Sequence, residues 1–96
     1  MITIKQRKYL RALAHGLKPV FQIGKEGLND NLVTDVRNYL NKHELMKISI
    51  LQNCSDDKEK IIDFFEKCGF AIVQVIGSTI ILYKESKTIK NPIVFP

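Results

Sequence analysis

Two β-type runs, Ala71–Ile76 and Thr79–Tyr83, are separated only by the dipeptide Gly77-Ser78. A glycine-led pair between such runs reverses the chain in a tight β-hairpin. Regular structure is therefore expected to end in an antiparallel pair. The segments before it must supply the rest of the sheet and its cover.

Those segments alternate in period. Thr3-Ile4-Lys5-Gln6 reads as a capping box, and Leu10, Leu13, Ala14 and Leu17 follow at helical spacing. Gly16 and Pro19 end this first helix, predicted over about 4–15. Val20–Ile23 is a short β-type run closed by Gly24-Lys25-Glu26-Gly27. Asn29 or Asp30 can cap a second helix with Leu32, Val33, Val36, Tyr39 and Leu40 on its apolar face. His43 and Glu44 break that pattern, and Leu45–Leu51 alternates as a strand. Asp56, with Glu59 three residues on, signals the start of a third helix. Its core face is Ile61, Ile62, Phe64, Phe65 and Cys68, and Gly69 ends it. The order α-β-α-β-α-β-β predicts an α/β (α+β) fold: one four-stranded mixed sheet packed with helices.

At 96 residues the chain has room for one domain, and 45% hydrophobic with 26% charged residues suits a folded one. No apolar run approaches the ~20 residues of a membrane-spanning helix, and Met1–Lys8 lacks the apolar stretch of a secretory signal. A cytoplasmic protein without membrane contact is expected. Cys54 and Cys68 are too far apart for a metal-binding pair and are expected to be reduced thiols. No metal, cofactor or catalytic residue is expected. His15 and His43 have no nucleophile or acid at a catalytic spacing, and Tyr9, Tyr39 and Tyr83 read as partly buried core.

Charge distribution is more informative than the net +5. Residues 1–25 carry Lys5, Arg7, Lys8, Arg11, Lys18 and Lys25 before the first acid, Glu26. From 26 to 83 nine acids face six bases, and the tail from Lys84 adds three lysines and one glutamate. At about 100° per residue, Arg7, Lys8, Arg11 and His15 project from one side of the first helix. A helix face without acids suits a polyanion better than it suits solubility alone. The Gly24–Gly27 loop leads into a helix N-terminus, where glycines allow close approach and amides favour an anion. Lys25 adds a cation. Glu26 opposes it at close range and is expected to point away from a phosphate path or to meet a base.

Four blocks together are similar to the CRM domain (chloroplast RNA splicing and ribosome maturation) in its stand-alone bacterial YhbY-like form. They are Lys8-Tyr9-Leu10-Arg11-Ala12-Leu13-Ala14-His15, Ile23-Gly24-Lys25-Glu26-Gly27-Leu28, His43-Glu44-Leu45-Met46-Lys47-Ile48, and Val73 to Tyr83. The resemblance covers about residues 2–86. It implies a fold similar to the C-terminal domain of translation initiation factor three with an added N-terminal helix. It also implies RNA binding through the GxxG loop, here Gly24 to Gly27, and association with precursors of the large ribosomal subunit. Asn29 stands where the family often has Thr or Ser, and it can cap a helix equally well.

The expectation is a single RNA-binding domain over 1–86 with a tail at 87–96. It would be a monomer that grips phosphates through Gly24, Lys25, Glu26, Gly27, Arg7, Lys8, Arg11, Lys18 and His15, without DNA specificity or enzymatic activity. The rival reading is a protein-binding module that docks on a ribosomal protein or other partner. It would use the apolar tail Ile93–Phe95 or an exposed sheet face. The residues leave open whether that tail frays or docks on the body.

Overall fold

The computed structural model describes residues 2–89 and 92–95. Its elements are α1 (Ile4–Ala14), β1 (Pro19–Ile23), α2 (Asp30–His43), β2 (Leu45–Ile50), α3 (Lys58–Lys67), β3 (Ala71–Ile76) and β4 (Thr79–Tyr83). The four strands form one mixed sheet in the order β1-β2-β4-β3. β1 and β2 are parallel and joined through α2, the crossover that a parallel pair requires, and β4 runs antiparallel to both β2 and β3. Among the described residues no helix is long and apolar enough to cross a membrane.

Two cores lie on opposite faces of the sheet. Val36 and Leu40 of α2 and Ile61 and Phe65 of α3 pack on Ile23, Met46, Ile48, Ile80 and Leu82. Leu10 and Ala14 of α1 pack on Leu45, Val73, Ile81 and Tyr83 from the other side. β4 is therefore apolar at successive positions, because it is an inner strand covered on both faces. Phe65 is fully buried in the larger core, and its truncation to alanine costs about 3–5 kcal/mol.

The first helix starts as its sequence indicates. The Thr3 hydroxyl accepts from the Gln6 amide and the Gln6 side chain accepts from the Thr3 amide, each at 3.0 Å. The leucine stripe, however, is rotated from the expected line. Leu10 and Ala14 are buried, whereas Leu13 and Leu17 are about two-fifths exposed. The helix ends at Ala14, so Leu17 falls outside its period, and Arg7 turns inward beside Leu10 and Ala14. The start of α3 also differs. Asp57, not Asp56, is its N-cap, accepting from the Lys60 amide at 2.9 Å.

The inward turn of Arg7 serves a bulge. Pairing of β3 with β4 shifts between Ile72 and Gln74, leaving Val73 as the extra residue. Such a residue loses its place in the ladder. Arg7 Nη1 donates to the carbonyls of both Ile72 and Val73. The shift also keeps Val73 in the α1 core while Ile72 and Val75 pack in the other.

The C-terminal tail docks. Glu44 caps α2 in the left-handed conformation, with φ 65°, and is fully buried. Its carboxylate accepts from the Ser86 amide at 2.7 Å and from the Ile93 amide at 2.6 Å. Phe95 meets the rings of Tyr9 and Tyr83 edge-on at centroid distances of 5.8 and 5.9 Å. Lys90, Asn91 and Pro96 lie outside the described residues.

Candidate nucleic-acid interface

The loop between β1 and α2 is closed by a hydrogen bond from the Gly27 amide to the Gly24 carbonyl at 2.9 Å. Its two glycines have different reasons to be there. Gly27 has φ +65°, and a Cβ on it would fall 2.3 Å from Asp56 Oδ2 and 2.6 Å from Ser55 Oγ. Only glycine fits that backbone and that contact. A Cβ on Gly24 would find Leu51 Cδ1 at 3.4 Å, an ordinary contact. Lys25 and Glu26 are exposed at the tip.

Asp56 forms the seat of this loop. Its carboxylate accepts from the Leu28 amide at 2.8 Å and pairs with Lys60 at 3.0 Å. The amide bond, and next the lysine, hold its carboxyl below the ordinary aspartate range. Asn29 caps α2 by accepting from the Leu32 amide at 2.9 Å. The fold itself thus engages the Leu28 and Leu32 amides, while Lys25 and Glu26 stay exposed at the tip.

Lys8 and Arg11 on α1, His15 at its C-cap and Lys18 in the turn that follows are exposed, while Arg7 is partly buried with its guanidinium on the β3 bulge. The two ion pairs among the described residues, Lys60–Asp56 and Lys67–Asp63, involve none of the N-terminal cations. Lys5 shares a small hollow with Thr3, Gln6, Tyr9 and Phe95, so that flank of α1 faces the tail. At about 100° per residue, Arg11 and His15 fall on the opposite flank.

Lys18 and Gly24 bracket β1, which puts them about 17–20 Å apart at the strand rise. The loop and the basic helix therefore do not form one compact pocket. Lys18 and the loop stand at the two ends of β1, while α1 lies over the face of β2, β3 and β4. Neither α1 nor any of the four strands contains an acidic residue.

Sequence reasoning missed two residues of consequence here. Asp56 reads as a helix cap and Glu44 as a pattern breaker, yet one supports the glycine loop and the other anchors the tail. The amides they accept from lie 28 residues away for Asp56 and 42 and 49 residues away for Glu44, beyond the reach of any local signal. The tyrosines take the expected places: Tyr83 is buried, Tyr9 and Tyr39 are partly so, and Tyr39 stacks on His43 at 4.2 Å. Cys54 and Cys68 are free and partly buried.

Comparison with known proteins agrees with this architecture. Over 92 residues the chain is 47% identical to the Bacillus subtilis probable RNA-binding protein YqeI, covering 95% of this chain and 96% of that one. It is 34% identical over 90 residues to an RNA-binding protein of Haemophilus influenzae, covering 93% and 91%. The solution structure of a Staphylococcus aureus hypothetical protein, described as a candidate RNA-binding protein, superposes with a TM-score of 0.80 at 43% identity and full coverage of both chains. The CRS1 / YhbY (CRM) domain model matches residues 2–84, most of the fold just described, and the chain belongs to that family.

Proposed function

We propose that this protein binds RNA without catalysing a reaction on it, and that it associates with large-subunit ribosomal RNA precursors during ribosome assembly. The observation that carries the reading is a run of exposed cations in which the first acid is Glu26 at the loop tip. Lys8, Arg11, His15 and Lys18 are exposed along the segment that leads into β1, and Gly24-Lys25-Glu26-Gly27 follows its other end. Cations without local acid partners release bound counterions from a phosphate backbone when they contact it. Lys25 contributes a mobile charge at the loop tip. Glu26, beside it, is exposed and free to turn away from a phosphate. Arg7 acts by holding the β3 bulge beneath this surface. The names carried by the relatives support RNA as the polyanion, and family resemblance supports the ribosomal precursor.

Four cations, Lys8, Arg11, Lys18 and Lys25, set the expected salt dependence. Log K should fall against log salt with a slope of about −2.8 to −3.6. A salt-independent Kd would overturn the reading. Of the tail that the rival protein-docking reading would use, Ile93 and Phe95 pack against the α1 core and Val94 stays exposed.

A further inference from the structure

The face of the sheet that carries α1 is only partly covered. α1 lies over Leu45, Val73, Ile81 and Tyr83. Farther along the strands, Gln22 of β1 pairs with Ser49 of β2, Ser49 with Thr79 of β4, and Thr79 with Ile76 of β3. The neighbours Phe21, Ile23, Ile48, Ile50 and Ile80 all pack toward α2 and α3. By strand alternation Gln22, Ser49 and Thr79 face the α1 side, in one row across the sheet. Lys47 stands one step nearer α1 on the same face. At the usual strand spacing the row from Gln22 to Thr79 is about 10 Å wide.

This strip is neither sealed nor greasy enough to be core. Gln22 is exposed, Ser49, Thr79 and Lys47 are partly exposed, and Ile76 at the β3 edge is 53% exposed. By helical phase Arg11 and His15 lie on the flank of α1 turned away from the tail, and the glycine loop follows β1 just beyond Gln22. The strip contains no aromatic ring. The rings of the molecule engage one another instead: Tyr9 and Tyr83 with Phe95, Phe21 with Tyr39, and Phe65 with Phe70. Phe64, the aromatic exposed enough to offer a face, sits on α3 behind the sheet.

Unpaired bases are held chiefly by stacking on aromatic side chains, whereas paired RNA is held by shape, phosphates and 2′-hydroxyls along its shallow minor groove. A 2′-hydroxyl both donates and accepts, and so do a glutamine amide and the hydroxyls of serine and threonine. We infer that the uncovered row Gln22–Ser49–Thr79 is the floor of the RNA site and takes a base-paired stem, meeting 2′-hydroxyls while the cations on either side hold the phosphates. This deepens the RNA-binding reading and rests on it.

The test compares three probes by fluorescence anisotropy in one buffer: an RNA hairpin stem, an unpaired RNA of equal length, and the DNA hairpin of the same sequence. The full chain should bind the RNA stem at least about tenfold more tightly than either alternative. The triple variant Gln22→Ala, Ser49→Ala, Thr79→Val should lose about tenfold on the RNA stem and far less on the DNA stem. Gln22→Ala alone, at an exposed position, should move affinity in the same direction without disturbing the fold. Equal or tighter binding of unpaired RNA, or variants that lose RNA and DNA alike, would overturn the stem and its floor while leaving RNA binding intact. Failure to bind any of the probes would overturn both readings.

Discussion

Arg7 Nη1 donates to the Val73 carbonyl at 2.9 Å, tying the first helix to the extra residue of a bulge 66 positions later. A charged donor on partly buried carbonyls is worth about 1.5–3 kcal/mol. Arg7→Gln should therefore lower unfolding free energy in urea by about 1–3 kcal/mol. Its effect on RNA affinity should be smaller than that of Arg11→Gln, which leaves the fold untouched. Equal stability of the two variants would mean that the Arg7 bonds contribute nothing.

The two loop glycines should separate fold from function. Gly27→Ala forces a side chain into the left-handed region, at about 1–2 kcal/mol, and against Asp56 and Ser55. It should destabilise the protein by more than that figure, as read by thermal melting. Gly24→Ala should leave Tm nearly unchanged, so any loss of RNA affinity in that variant belongs to the loop's approach to its ligand.

Asp56 predicts an acid limb in stability. Its carboxyl titrates below the ordinary value of 3.8 because the Leu28 amide, and then Lys60, favour the charged form. The contribution is complete above the unfolded pKa near 4 and is lost as pH falls through the lower folded value. Asp56→Asn should melt below wild type at pH 7, and the gap should close as pH drops from about 5 toward 2. A gap independent of pH would contradict this.

Glu44 holds the tail from the end of α2. Glu44→Ala leaves the Ser86 and Ile93 amides without their acceptor, which should cost about 2–4 kcal/mol. Hydrogen exchange at those two amides should accelerate far more than at Leu40 in α2. Uniform acceleration throughout the chain would mean that the tail is no separate unit.

Much of this fold is written locally. The capping box at Thr3, the period changes and the Gly77-Ser78 turn mark the seven elements, and a hairpin after two helical crossovers leaves few sheet orders open. The bulge at Val73 has no such mark, because Ala71–Ile76 contains neither glycine nor proline. Without it Arg7 reads as one more surface cation. A hint was available, since Arg7 lies within one helical turn of the buried Leu10. At the site, the loop and the exposed cations could be read from charge and glycine spacing. The polar floor could not, because Gln22, Ser49 and Thr79 become neighbours only through strand pairing.

The most direct test is a map of amide chemical shifts as the isotopically labelled protein is titrated with an RNA stem. Shifts should concentrate on Lys8–His15, Lys18, Gln22, Gly24–Gly27, Ser49 and Thr79, and leave Ile61–Lys67 of α3 unmoved. Shifts centred on α3 or on the docked tail, or no shifts at all, would contradict the account.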